Sequence, residues 1–240
     1  MSGRVVGRLA ALWRYPVKSM GAEALSSAEV GWHGVAGDRR WAFIRPGLER
    51  SGFPWLTIRE RSDLWLYEPR LADPDRPDHP PTRVRTPGGG ELEVTDPALA
   101  AELGAGVRVM KQDRGVFDVL PLSVLTTRTV AALGALTGTR LDAVRFRPNL
   151  LVDAGDGEGF PEDEWVGAVL RIGALRLRVD QRDKRCVMVN VDPHTTRRDP
   201  SVLRAIARER AACLGVYGST VAPGRVSVGD EVVLEAPPGA

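Results

Sequence analysis

Glycine and proline interrupt this 240-residue chain so often that no long uninterrupted helix can form. Its 26 glycines and 18 prolines separate short β-branched and aromatic runs. Their joint share, about 18%, stays under the roughly 25–30% of low-complexity chains, so the punctuation marks turns between strands. In the first half the runs predict strands over Val5–Tyr15, Ala24–Trp32, Trp41–Ile44, Leu64–Tyr67, Arg83–Arg85 and Glu91–Val94. Pro69 to Gly90 reads otherwise as a solvated loop. In the second half they predict strands over Leu150–Val152, Val169–Ile172, Leu175–Val179, Cys186–Val191 and Val226–Leu234, with hairpin turns at Gly173-Ala174 and Gly229-Asp230. Helical signals are three. Asp96 or Thr95 caps Ala98–Leu103, with Pro97 in the first turn and Gly104 as the stop; Thr127–Leu136 has a loosely apolar face; Asp199–Ala212 starts at an Asp-Pro cap. The expected fold is a β-rich α+β protein with a few short helices, whose halves join near Gln112–Leu120.

Charge and cysteine count remove several functions. Basic and acidic side chains number 33 and 31, a net charge of +2, with three lysines and thirty arginines. That balance lacks the basic excess of a nucleic-acid binder, so no nucleic-acid partner is expected. No apolar run reaches the ~18 residues of a membrane span, and Met1–Ala10 lacks a signal-peptide core, so a soluble cytoplasmic chain with no membrane partner is expected. Two cysteines supply neither a disulfide framework, nor a four-thiolate iron–sulfur cluster, nor a Cys-rich zinc site.

Cys186 is the first candidate for chemistry. Read as a strand, Cys186–Val191 turns Val187, Val189 and Val191 to one face and Cys186, Met188 and Asn190 to the other. Arg182, Lys184 and Arg185 precede the thiol and favour its thiolate, a nucleophile and soft-metal ligand. A small hydrophobe at a strand start accounts for it equally well. Cys213, in Ala211-Ala212-Cys213-Leu214, reads as a buried structural cysteine at a helix end. Arg145 and Arg147, two apart before Pro148, are expected on an extended segment with both guanidinium forks on one side, suited to phosphate or carboxylate; plain surface charge is the other reading. Lys18 and Ser19 in Tyr15–Met20, and Arg39 in Gly37–Trp41, lie at strand-to-turn junctions where ordinary turn chemistry also explains them. Thr126, Thr127 and Arg128 open the second helix, as a cap or as donors to an anion.

Together, YPVKSM, GDRRWAFI, FRPNLLVD, RCVMVNVDPHT and VSVGDEVVL resemble the MOSC proteins, named for the C-terminal domain of molybdenum-cofactor sulfurase. The resemblance is to members with an N-terminal β-barrel domain, the group of the mitochondrial amidoxime-reducing component and its bacterial relatives. It implies a β-barrel domain over residues 4–111 and a MOSC β-barrel domain over 116–236. It also implies a molybdopterin-bound molybdenum (Mo-MPT) cofactor with Cys186 as its protein ligand and a catalytic residue. By the same match, Lys18, Ser19, Arg39, Arg147, Asn149, Lys184 and Arg185 contact the cofactor, as do Thr126, Thr127, Arg128 and Tyr217.

The activity so implied is two-electron reduction of N-hydroxylated (N–O) small molecules. The alternative is a carrier in which Cys186 hands on sulfur, as a persulfide, or the cofactor itself. Pyridoxal phosphate is not expected, because Lys18, Lys111 and Lys184 lack a Schiff-base context. No glycine-rich dinucleotide fingerprint follows a strand. Neither the iron–sulfur domain of some bacterial relatives nor the mitochondrial anchor is expected. Electrons are therefore expected from a separate protein of flavoprotein, ferredoxin or cytochrome type.

Overall fold

The computed structural model describes residues 3–73, 81–157 and 159–235. The first half contributes strands β1 (Arg4–Arg14), β2 (Glu23–Leu25), β3 (Ser27–Gly31), β4 (Gly34–Val35), β5 (Trp41–Ile44), β6 (Glu68–Leu71), β7 (Thr82–Arg85) and β8 (Glu91–Glu93), then helix α1 (Pro97–Leu103) and β9 (Arg108–Lys111). The second half adds β10 (Leu122–Thr126), α2 (Thr127–Thr137), β11 (Leu150–Asp153), β12 (Val169–Ile172), β13 (Leu175–Lys184), α3 (Pro200–Arg210), β14 (Cys213–Ala222), β15 (Gly224–Ser227) and β16 (Glu231–Glu235). Single 3-10 turns fill Ser62–Leu66, Ala143–Phe146, Pro161–Trp165 and Val187–Asn190. The fold is the expected β-rich α+β type.

Seven strands close a barrel in the order β11-β10-β14-β13-β12-β16-β1, and β1 returns to β11. Closure consumes both edges of β1: Leu12 faces Leu150 on β11, and Val5 faces Val233 on β16. This removes the open edges that a sheet otherwise exposes. Inward side chains such as Leu9, Leu122, Val152, Leu170, Leu177, Val216 and Val232 form its core. β10 and β11 run parallel, which requires the crossover supplied by α2. Both faces of β10 are buried, one by the barrel core and one where Leu125, Leu133, Val202 and Ile206 pack helices α2 and α3 against the wall. A third core, built on Tyr15, Val17, Met20, Phe43, Ile58, Trp65 and Leu99, holds most of the first half.

Helices α1, α2 and α3 lie where capping chemistry predicts: Asp96, Thr126 and Asp199 each accept a backbone N–H of the first turn. Gly173-Ala174 makes the β12–β13 hairpin, with Ile172 opposite Leu175. Gly229-Asp230 turns the chain but makes no hairpin, since β15 pairs with β3 while β16 pairs with β12 and β1. The Ala24–Trp32 run divides into β2 and β3 on two sheets. Leu64–Tyr67 is largely a 3-10 turn that buries Leu64 and Trp65 side by side. The stretch read as a loop from Pro69 begins inside β6; its residues 74–80 lie outside the described part. Among the described residues no helix is long and apolar enough to cross a membrane.

The seam of the barrel is sterically tight at Gly7, where an added Cβ would stand 2.2 Å from the Asp153 carbonyl oxygen. Gly7→Ala should therefore destabilise the protein by about 1–3 kcal/mol through forced backbone shifts. Urea unfolding of the two proteins measures the difference.

Candidate functional site

β1 ends at the barrel rim, and the chain passes directly into Tyr15-Pro16-Val17-Lys18-Ser19, buried between the two halves. There it forms one wall of a cavity of about 370 Å³. The opposite walls come from the end of β13, the 3-10 turn after it, the Ala143–Phe146 turn and β14. Lys18, Ser19, Arg39, Arg147, Asn149, Lys184, Arg185, Cys186 and Tyr217 all line this cavity, brought together from five places in the chain.

Thr126, Thr127 and Arg128 do not line it. Thr126 is fully buried and its hydroxyl caps α2, accepting from Thr129 N and donating to Glu162 Oε2 at 2.8 Å. Thr127 donates to Asp153, and Arg128 lines a separate hollow with Phe160 and Glu164. The segment that reaches the cavity from this part of the chain is Phe117–Leu120, ahead of β10. The helix N-terminus points elsewhere because β10 must bury all five of its residues.

Two local geometries differ from the strand-based expectation. Val187–Asn190 is a 3-10 turn, not a strand: Cys186 stands just before it, Val189 N donates to Cys186 O, Val187 is 44% exposed, and Val189 and Val191 are buried. The chain has to reverse here from β13 towards α3. Asn190 fastens the reversal: its carbonyl accepts from Asp199 N and its side chain accepts from Leu203 N. Arg145 and Arg147 do not form a paired fork. Arg145 lies in a 3-10 turn and reaches Asp192 at 2.7 Å and the Val189 carbonyl. Arg147 adopts a left-handed backbone, φ 54°, despite Pro148. That conformation sends its guanidinium between the rings of Tyr15 and Trp65, 4.2 and 4.8 Å from their centroids, where one nitrogen donates to the Met20 carbonyl.

Arg147 shares this strain with its neighbours. Six described non-glycine residues have a positive φ, and three of them, Ser19, Arg39 and Arg147, line the cavity. Each costs on the order of 1 kcal/mol or more, which the surrounding contacts must offset. A buried network supplies those contacts. Asp38 accepts from Tyr15 N at 2.7 Å and from Asn149 Nδ2 at 3.2 Å, and pairs with Arg39. Tyr15 donates its hydroxyl to the Pro148 carbonyl, and Arg39 donates to the carbonyl of Arg147.

The charges around the cavity are unequal. Lys18 pairs with Asp118 at 2.6 Å, Arg39 with Asp38, and Arg185 with Asp183 at 2.9 Å. Among the described residues no carboxylate lies within ion-pair distance of Arg59, Arg147 or Lys184. Burial lowers the pKa of Lys18 and brings Arg147 down to about 10, Arg39 adding to the effect on both. Several buried donors have no partner in the protein: Ser19 Oγ, Arg147 Nη2 and Arg185 Nη2. Burying such groups unpaired is unfavourable, so the arrangement is complementary to an oxyanion.

Cys186 is half-buried beside these cations, and Arg59 Nη2 stands 3.4 Å from its sulfur. Arg59 also packs over the Phe53 ring. Nothing in Thr57-Ile58-Arg59-Glu60-Arg61 singles it out by sequence, and sequence reasoning missed it. It missed Asp118 and Asp183 too; the latter was legible as the one acid in the basic run before Cys186. Cys213 is half-buried rather than buried, because it opens β14 opposite Lys184 instead of ending a helix. Among the described residues no three His, Cys, Asp or Glu side chains are grouped to hold a metal ion.

A closed barrel joined to a second β-unit, with a cation-lined cavity and one cysteine between them, defines the class of protein. The family models agree with it: the MOSC domain matches residues 114–233 and the MOSC N-terminal beta barrel domain matches residues 6–116. The chain belongs to the MOSC domain family. It is similar to the molybdenum cofactor sulfurase of Drosophila mojavensis, 24% identical over 89% of this chain and 32% of that protein. It is also similar to mouse mitochondrial amidoxime-reducing component 1, 26% identical over 95% of this chain and 82% of that one. The human counterpart is 28% identical over 49% of this chain and 37% of its own length. The chain thus spans about a third of the sulfurases it matches. Among solved structures, the YUAD protein of Bacillus subtilis superposes with a TM-score of 0.50 at 14% identity, covering 98% and 97% of the two chains, which supports the fold alone.

Asp183 is 1% exposed, and burial pushes its carboxyl up to about 6, partly opposed by Arg185. A folded-state pKa above the unfolded value of ~3.9 means the folded protein binds the extra proton between about pH 4 and 6, so this group's contribution to stability falls as pH rises through that window. Asp183→Asn, which mimics the protonated form, should therefore gain on wild type by about 2 kcal/mol between pH 4.5 and pH 7. Urea unfolding of both proteins at the two pH values measures it.

Proposed function

We propose that the cavity holds a molybdenum cofactor of the molybdopterin type, and that the protein is an oxidoreductase acting on N-hydroxylated small molecules. The observation that carries the reading is the conjunction of unpaired, buried cationic donors with a single cysteine. Since the described residues hold no cluster of protein ligands, a metal here would arrive with ligands of its own, and Cys186 would add one thiolate to a sulfur-rich set. Arg147 and Arg185, with their unpartnered nitrogens, and Ser19, Lys18 and Arg39 would take the cofactor's phosphate. Asn149 and Tyr217 would meet polar edges of the pterin, and Lys184 lies exposed on the same lining.

When bound, the cofactor supplies two-electron redox chemistry at a metal that accepts oxygen. The chain's own residues bind and orient. Arg59 holds the Cys186 sulfur in place across the junction of the two halves. The Tyr15–Asp38–Asn149 network keeps Arg39 and Arg147 in conformations they would not adopt alone. Reducing an N-hydroxylated compound to the amine and water consumes two electrons and two protons. In this reading the electrons come from a separate flavoprotein, ferredoxin or cytochrome-type donor in the cytoplasm, with no nucleic-acid or membrane partner.

A sulfur or cofactor carrier is the second reading. It is favoured by the sulfurase alignment, which runs over 89% of this chain, and by the half-buried Cys186 whose sulfur is held by Arg59. Molybdenum and sulfane-sulfur analysis of the purified protein, with fluorescence assay of released pterin, separates the two. Stoichiometric molybdenum supports the oxidoreductase, and sulfane sulfur without molybdenum supports the carrier.

Cys186→Ser replaces a soft ligand by a protonated hydroxyl, so molybdenum content and turnover of an N-hydroxylated substrate with an artificial donor should both collapse. Cys213→Ser should leave both near wild type. Turnover per molybdenum unchanged in Cys186→Ser would overturn the ligand assignment. Arg147→Ala removes a charge-assisted contact worth ~1.5–3 kcal/mol, so cofactor retention under competitive dialysis should fall about tenfold or more.

A further inference from the structure

Asp183 is the one fully buried acid in the cavity wall. Asp118, the other lining carboxylate, is 41% exposed and already engaged by Lys18. Charged or polar groups reach Asp183 from every element around it. Arg185 follows it just after β13, with Nη1 2.9 Å from Oδ2; Ser123 on β10 donates to the same oxygen at 3.3 Å; Tyr217 on β14 lies beside it; and Arg39, from the loop after β4, adds a positive field. Arg185 is itself fixed, with Nε donating to the Leu214 carbonyl and Nη1 to that of Phe146. Its remaining nitrogen, Nη2, is buried and has no protein partner.

This leaves one guanidinium serving two anions. With the cavity empty, Arg185 compensates the Asp183 carboxylate. An oxyanion accepting from Nη2 draws on the same positive charge and brings negative charge close to a carboxylate that solvent cannot reach. A like charge in a poorly hydrated site disfavours the ionised form. The cheapest relief is protonation, since the Ser123 hydroxyl that donates to the carboxylate can turn to accept from a neutral carboxyl.

We propose that Asp183 is the proton-holding residue of the cavity, taking up a proton from solvent when an oxyanion occupies the space beside Arg185. The inference rests on reading the cavity as an oxyanion site. It adds that occupation charges the site with a proton, held in the cavity wall and shielded from bulk water. Asp183 is a positioning residue in this role, since it acts through Arg185. Only a proton moves: Asp183 gains one, the solvent buffer loses one, and no bond of the oxyanion changes.

The test uses the purified protein without cofactor and sulfate, a dianion that does not titrate near neutrality. Calorimetric titration at pH 7, at constant ionic strength, in two buffers of different ionisation enthalpy gives the protons taken up per sulfate bound. If the anion pushes the carboxyl from about 6 to about 7, the uptake is roughly 0.4 proton. Asp183→Asn should bind sulfate with no uptake. The wild type alone gives a second readout, the appearance on sulfate addition of the infrared carbonyl band of a protonated carboxyl, which remains if the variant does not fold. Sulfate binding without uptake or band would overturn the role of Asp183 and leave the oxyanion reading standing. Uptake that persists in Asp183→Asn would assign the proton to another group. No sulfate binding at all would remove the oxyanion reading and this inference together.

Discussion

The structure depends on the pairing of β1 along both of its edges. Joined to β11 on one side and β16 on the other, β1 turns an open sheet into a closed barrel and is held rigidly in register. The residues that follow it, Tyr15 to Ser19, are therefore delivered to a defined position at the rim, where Lys18 and Ser19 form one wall of the cavity. A free edge strand would leave Tyr15 and Lys18 to find their own places. Because the barrel is otherwise made of second-half strands, it joins the two halves and positions their shared site.

The site is a store of unfavourable terms that the fold offsets elsewhere. Arg147 lies in a left-handed conformation, lowered in pKa by burial, with no carboxylate for a partner among the described residues. Ser19 and Arg39 carry similar backbone strain. What holds them is aromatic and hydrogen-bonded: Tyr15 and Trp65 enclose the Arg147 guanidinium, while Asp38 and Asn149 tie Arg39, Tyr15 and the end of β1 together. Such costs persist only where they are over-determined by neighbours, and they concentrate at binding sites. A carboxylate beside Arg147 would have made a more stable protein and a poorer anion site.

The elements legible from sequence were those whose signals are local. A cap, a first-turn proline and an apolar stripe suffice for α1 and α3, and alternation between glycines suffices for β1, β5, β12 and the start of β13. The errors came where long-range contacts override local pattern. Cys186–Val191 alternates like a strand, yet it is a 3-10 turn, because Asn190 and the return to α3 need a reversal there. Pro148 biases Arg147 towards extended backbone, yet stacking between two rings from the other half of the chain decides its conformation.

Sequence alone determined that the chain is β-rich, that its two cysteines exclude clusters and disulfide frameworks, and which family it resembles, because these follow from composition, turn chemistry and ordered short motifs. It also assembled most of the cavity, since Lys18, Arg39, Asn149, Arg185 and Cys186 sit in those motifs. Only the tertiary structure decided that Thr126–Arg128 lie outside the cavity and Phe117–Leu120 inside it. Only it brought Arg59 to the Cys186 sulfur, 127 residues away, and buried Asp183 between Arg185, Ser123 and Tyr217. Pairings of that kind depend on barrel closure and on how two halves meet. No local pattern encodes either, because the energy that selects them comes from contacts between residues far apart in the chain.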